Sequence, residues 1–401
     1  MKLVEGGVTA PRGYKAAGAA AGVKTSSTKK DCALIVSDVP ATAAGVFTTN
    51  RVKAAPVLWC QRVCSRGTAR AVFINSGNAN ACTGARGERD AAATAAHVAK
   101  MIGASPDEIL VCSTGVIGAP LPMERITIGV ELCAAALSES GSHDAALAIM
   151  TTDRVPKESA CEISLNGGPV RLGAIAKGAG MISPHMATMI CVLTTDAAVE
   201  AAPLADALRR AVDRSFNCVC VDNDMSTNDT VLCLANGRAG AAALQPGSAD
   251  FAAFERALTA LCTGLAKALV KDGEGATKLV EIVVSGAGSD KDAAKAARAI
   301  AQSQLCKTAF FGQDPNWGRL ACAVGYSGAD FDPNCLSIRL DDVEVMTEGR
   351  AGVYDETDAA AVMKQASFRV SVKMGGGPGS ARFWTSDLSD EYVRINADYR
   401  S

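Results

Sequence analysis

Apolar positions along the chain regroup every eight to fifteen residues, which predicts short strands interleaved with helices. CALIVSD (32–38) and AVFINSG (71–77) read as strands, and ILVCSTG (109–115) as a strand ending in a turn. Arg89–Ile102 has helical spacing. Met123–Ser138 is also helical, although Ile126, Ile128, Val130 and Leu132 mix two periods. CEISL and VRLGAIA flank Asn166-Gly167-Gly168, a strong signal for a hairpin. Next come a helix at 202–214, strands at 217–222 and 230–235, and a long helix from Asp250 to Val270. Strands at 280–285, 336–346, 367–374 and 380–385, with helices at Asp290–Gln304 and Thr357–Gln365, complete the chain. The glycines from Gly375 to Gly379 read as a loop between the last two strands. Hairpins outnumber strand–helix–strand units, so the pattern points to α+β layers and not to a doubly wound sheet.

One junction stands apart. Between Lys177 and Ala197 the chain reads KGAGMISPHMATMICVLTTDA, a glycine-loosened loop entering an apolar strand at Ala187-Thr188. A hydroxyl there would sit at the mouth of a rigid element with looser backbone before it. That arrangement suits a threonine that attacks the carbonyl of its own preceding residue, breaks the chain and then works as an N-terminal nucleophile. The freed α-amino group titrates near neutrality and can serve as the local base. The competing reading is that Thr188 only begins a strand, as β-branched residues often do.

Composition narrows the setting. With 401 residues, 48% hydrophobic and 20% charged, the chain can bury a substantial core in two domains or one layered body. Aromatic residues are only 4%, so small side chains must fill the space between layers. A formal charge of −2 makes no electrostatic case for nucleic acid or an anionic membrane. No run of 18 apolar residues predicts a membrane span. The N-terminal stretch carries Glu5 and lacks an apolar signal core, and little chain precedes the first recognisable motif, so a cytoplasmic protein is expected. Fifteen cysteines, several in apolar runs (Cys112, Cys133, Cys191, Cys233, Cys262, Cys322), read as buried thiols of a reducing compartment. With His97, His143 and His185 alone, no zinc spacing can be assembled, and no metal or organic cofactor is expected.

The Lys177–Ala197 segment resembles the autoprocessing segment of the ArgJ family, the glutamate N-acetyltransferases also called ornithine acetyltransferases. Further segments are similar to the same family in the same order: GVFTTNRVKAAPV from Gly45, INSGNANACTG from Ile74, STGVIG from Ser113, TTD from Thr151, STNDT from Ser226, DGEGATK from Asp272, DPNWGR from Asp314 and INADYRS from Ile395. The likeness runs from Gly7 to Ser401. It implies a four-layer αββα sandwich of the N-terminal-nucleophile type, self-cleaved into an α chain (1–187) and a β chain (188–401), two of each in the assembly. It also implies acetyl transfer from N-acetylornithine to glutamate through an acetyl-Thr188 intermediate, with acetyl-CoA as a possible second donor. Thr114 and Gly115 would form the oxyanion hole, through the hydroxyl of one and the N–H of the other. Thr151, Lys177, Thr188, Glu274, Asn396 and Ser401 would contact substrate. Lys177 suits an α-carboxylate and Glu274 a side-chain amine, whether as ligand or as base.

Read without the likeness, STGVIG is an ordinary strand-to-loop turn, Lys177 a solvated loop lysine and DGEGATK a glycine loop lacking phosphate-loop spacing. Asp224, Asn228 and Asp229 form an acidic cluster without calcium-loop spacing and read as support around the site. Asn223 stands where the family more often has glycine, which leaves the local turn open. Two rival readings remain: an amidase or aminopeptidase with water as acceptor, and an uncleaved, non-catalytic relative acting as a binding protein.

Overall fold

The computed structural model describes residues 1–24, 28–183 and 189–398. The chain first lays down β1 (Lys2–Val4), β2 (Tyr14–Ala19) and β3 (Cys32–Phe47), then α1 (Ala55–Cys64), β4 (Thr68–Asn78), α2 (Gly84–Ile102), β5 (Ile109–Val116), α3 (Met123–Ala135) and α4 (Ser142–Ile149). The hairpin β6 (Lys157–Leu165) and β7 (Gly168–Lys177) follows, then β8 (Ile190–Thr195) and α5 (Ala201–Asp213). Short β9 (Val219–Cys220) starts a second sheet, while β10 (Thr230–Ala235) returns to the first. After α6 (Ala249–Lys271) come β11 (Leu279–Ala287), α7 (Asp290–Gln302), α8 (Gln304–Phe311), α9 (Trp317–Gly325), β12 (Ser337–Leu340), β13 (Val343–Thr347) and β14 (Arg350–Ala351). The chain closes with α10 (Glu356–Lys364), β15 (Ser367–Lys373), β16 (Gly379–Ser386) and α11 (Asp390–Asp398).

Among the described residues the first sheet has nine strands in the order β1-β6-β7-β8-β10-β3-β4-β5, with β2 beside β3; the second has seven, β14-β13-β12-β15-β11-β16-β9. The class is α+β, as expected. Strand alternation distributes the first sheet's side chains to two cores. Ile190, Val192, Leu232 and Leu234 join the core under α1 to α4, whereas Met189, Cys191, Leu193, Val231 and Cys233 join the core under α5 and α6. The second sheet buries its other core against α7 to α10. Helical layers therefore lie outside both sheets. α6 sits additionally between them: it packs on β6 and β7 and reaches β9 and β16. Its start is capped by Ser248, whose Oγ accepts from Phe251 N at 3.1 Å, and Phe254, Leu258, Leu261, Leu265 and Leu269 form its buried stripe.

β3 is twice as long as the strand read from 32–38. Its register with β4 shifts between Val36 and Ala41. The residues before the shift pair with β2 and β4, and those from Thr42 to Phe47 with β10. The β4–β5 end meets the segment just before β10, where Asn228 Nδ2 donates to Ser113 O at 2.8 Å and Ala79 O at 2.6 Å.

Several boundaries differ from expectation. The strand expected over 336–346 is a hairpin, broken at Asp341, which takes a left-handed conformation (φ 45°). The strand over 217–222 shrinks to β9, so Cys218 lies in a short 3-10 turn and only Cys220 in the strand. Ser303 stops α7 and caps α8, its Oγ accepting from Cys306 N. Cys322 is exposed on α9, contrary to the buried thiol expected; the other five cysteines named above are buried. No described helix is long and apolar enough to cross a membrane.

Candidate active site

Strand ends from the first sheet supply one wall of a cleft. Parallel pairing of β4 with β5 sets Gly77 beside Gly115. Gly115 is held at φ +132°, and a Cβ there would stand 2.4 Å from the Gly77 carbonyl carbon, so no other residue fits this crossing. Thr114, one residue earlier, is buried. Lys177 ends β7 opposite Ile190, which starts β8. Its Nζ donates to Thr151 Oγ1 at 2.8 Å and lies 3.4 Å from Thr114 Oγ1.

The opposite wall comes from the loop after α6 and from α11. Glu274 N donates to Ala179 O at 2.8 Å, and Asn396 Nδ2 donates to the Glu274 carboxylate at 2.9 Å. Gly180 lets that carboxylate lie flat over the backbone, since a Cβ there would meet Glu274 Cδ at 2.4 Å. Between the walls is a cleft of about 130 Å³ lined by Thr114, Gly115, Thr151, Lys177, Glu274 and Asn396, all six of the expected site residues that fall within the described chain. Thr152 also lines it, but the hydroxyl bonded to Lys177 is that of Thr151. Ala187, Thr188 and Ser401 lie outside the described residues.

Charge inside the cleft is set by burial. Burial pushes the Lys177 ammonium below the usual lysine range, and Asp153 at 3.9 Å pulls against that shift. Burial also acts to raise the Asp153 carboxyl, but Lys177, Lys157 and the Gly178 N–H outweigh it and hold Asp153 at about 2. The cleft therefore carries both an ammonium, Lys177, and a carboxylate, Glu274.

Two members of the acidic cluster, Asn228 and Asp229, sit against the site, whereas Asp224 bonds only to Asp222 among the contacts described. Asp229, fully buried and raised well above the carboxylate range by that burial, accepts from Met189 N at 3.0 Å and so fixes the residue that follows Thr188. Asp222, not singled out from the sequence, accepts from Met181 N and Ile182 N at 2.5 and 2.7 Å. Burial raises it to about 6. Asn223 adopts φ +69°, the left-handed region glycine favours and asparagine tolerates, and its Nδ2 donates to Gln302 O.

The α+β body thus carries a small cleft whose lining includes a buried lysine and a glutamate carboxylate. The pattern that defines the ArgJ family matches residues 15–401, and this chain belongs to the ArgJ family. It is 52% identical to the arginine biosynthesis bifunctional protein ArgJ of Symbiobacterium thermophilum, over the whole of both chains. It is 51% identical to that of Geobacter sulfurreducens, over 97% of this chain and 99% of the other. Among solved structures, the bifunctional protein ArgJ of Bacillus halodurans matches with TM-score 0.50 and 39% identity, covering 51% of this chain and 97% of that one. An ornithine acetyltransferase of Mycobacterium tuberculosis, solved with ornithine, matches at 46% identity with TM-score 0.42, over 46% of this chain and 97% of that one.

Proposed function

We propose that the protein is an ornithine acetyltransferase of arginine biosynthesis that moves acetyl from N-acetylornithine to glutamate. The observation that carries this reading is the convergence of Thr114, Gly115, Thr151, Lys177, Glu274 and Asn396 on one cleft in a chain of the ArgJ family. Thr188, freed by cleavage at Ala187-Thr188, attacks the acetyl carbonyl with its own α-amino group as base. Thr114 and Gly115 stabilise the oxyanion, ornithine departs, and glutamate takes the acetyl group from the enzyme. Lys177 receives the α-carboxylate and Glu274 the ornithine side-chain amine. Ser401 contacts substrate from the C-terminus. No metal or organic cofactor takes part.

Cleavage is supported by length. The solved Bacillus halodurans chain is matched over 97% of itself by 51% of this one, so it is about half as long. The two resulting pieces, 1–187 and 188–401, stay together because β7 and β8 are adjacent strands of one sheet on either side of the cut. Two α and two β chains assemble in the cytoplasm. The word bifunctional in the relatives' names supports a second reaction, acetyl-CoA-dependent acetylation of glutamate.

Incubation of purified protein with N-acetylornithine plus glutamate, and separately with acetyl-CoA plus glutamate, tests both activities. Intact mass should show two fragments, the second beginning at Thr188. N-acetylornithine alone should leave one acetyl group on that fragment. An active preparation consisting only of unbroken chain would defeat the cleavage, and acetyl found on a cysteine would defeat the ping-pong route.

A further inference from the structure

A buried row of alternating charges runs behind the cleft. Asp153 is enclosed, and its two oxygens accept from three donors and face a fourth. Oδ1 accepts from Lys157 Nζ at 2.7 Å and from Gly178 N at 2.7 Å, and Oδ2 accepts from Thr151 N at 3.0 Å and faces Lys177 Nζ at 3.9 Å. Lys157 Nζ, equally enclosed, donates at 2.6 Å to Asp272 Oδ2, which also accepts from Arg154 N at 3.0 Å. Asp272 caps the end of α6 two residues before Glu274. The order Lys177, Asp153, Lys157, Asp272 thus alternates in sign and ends beside both charged walls of the cleft.

We propose that Asp153 is a positioning residue for the transfer reaction: it holds Thr151, Lys177 and Gly178 in register and, through Lys157 and Asp272, ties that wall to the loop bearing Glu274. The inference rests on the reading of the cleft given above. Taking four charges out of water is expensive, and packed apolar side chains would stabilise the same contacts as well or better. The array makes sense as a means of fixing the Lys177 ammonium and the Glu274 loop at a set distance. Asp153 belongs to TTD and Asp272 to DGEGATK, so both flank residues expected to touch substrate. Lys157 joins them from outside any motif.

The groups acting on Lys177 are Asp153, Lys157, Glu274, Asp229 and, more remotely, Lys24. Two of them allow opposite perturbations. Asp153→Asn removes the anion facing Lys177, so the ammonium should lose its proton at lower pH. Lys157→Met removes a repelling cation while leaving Asp153 charged, so Lys177 should hold its proton to higher pH. Carbon-13 NMR titration of protein labelled at lysine Cε, with Lys177 assigned from Lys177→Arg, reads both shifts without any turnover. In the transfer assay, Asp153→Asn should lower kcat/KM on the order of tenfold or more, with the deficit growing as pH rises.

Opposite shifts of Lys177 in the two variants, with that pH-dependent deficit, support the proposal. Shifts of the same sign, no shift in either, or a folded Asp153→Asn with an unaltered pH profile overturn it. Should Asp153→Asn fail to fold, Lys157→Met decides alone, and the absence of an upward shift overturns the proposal. Wild-type protein that titrates as described but transfers no acetyl defeats the functional reading and leaves the charge array standing.

Discussion

Gly180→Ala separates catalysis from folding in a single methyl group. Gly180 lies outside the left-handed region, so alanine costs no backbone strain there. The obstacle is the Glu274 carboxylate, whose carbon and two oxygens would stand 2.4, 2.4 and 2.6 Å from the new Cβ. Ordinary carbon contacts are about 3.5–4.0 Å, so the carboxylate must retreat by roughly 1 Å or more. It can do so by rotation, because it is the far end of a flexible side chain; its backbone stays pinned by the bond from Glu274 N to Ala179 O. Stability should therefore change by less than about 1 kcal/mol. The Asn396 contact is lost, however, and the partner for the ornithine amine is displaced. A misplacement of about 1 Å costs on the order of a hundredfold, or about 2.7 kcal/mol of transition-state stabilisation. Steady-state rates with varied N-acetylornithine at fixed saturating glutamate, alongside thermal melts, measure both effects. Glu274→Asp in the Gly180→Ala background shortens the acid by one methylene and should recover part of the loss, a non-additivity expected of residues in contact. A folded Gly180→Ala enzyme with kcat/KM for N-acetylornithine within threefold of wild type would refute the reasoning.

Thr114→Ala should lower turnover by about two orders of magnitude, the effect of removing one oxyanion donor; a folded variant losing less than threefold argues against the role. Gly264→Ala, in the middle of α6 where an added Cβ meets nothing within 4 Å, should raise stability by about 0.5–1 kcal/mol in urea melts. A fall in midpoint would mean that face is occupied. Asp222, raised by burial to about 6 from 3.8, binds its proton more tightly folded than unfolded, so its stabilising effect is fully present below about pH 4 and lost as pH rises through 6. The stability difference between wild type and Asp222→Asn should therefore change across that window, and a constant difference from pH 4 to 6.5 would show that the buried carboxyl does not titrate there.

How much of this was legible in the sequence depended on how local each signal is. Strands with unbroken apolar runs, such as β8 and β10, and the hairpin turning at Asn166-Gly167-Gly168 are specified by residues close in sequence, and their positions were read within a few residues. α1, α4 and α9 were not. They are ten residues or fewer, and their Ala, Cys and Gly content gives little periodic contrast. In each case packing against the sheets decides the conformation where propensity does not. β12 and β13 merged in the reading because nothing in Asp341-Asp342 announces a turn as a glycine would, yet Asp341 accepts the left-handed conformation.

The site shows the same division more sharply. Residues expected to touch ligand stand in motifs recognisable one segment at a time. What makes those segments a site is long-range: Lys157 to Asp272 spans 115 positions, and Asn228 reaches Ser113 across the same separation. No periodicity encodes either pairing. The first rests on the packing of α6 against β6, the second on β3, which pairs with β4 and with β10. The glycines at 115 and 180 then acquire separate meanings that spelling alone could not assign. Gly115 answers to backbone crowding and a positive φ, while Gly180 answers to the carboxylate of Glu274, ninety-four residues further along the chain.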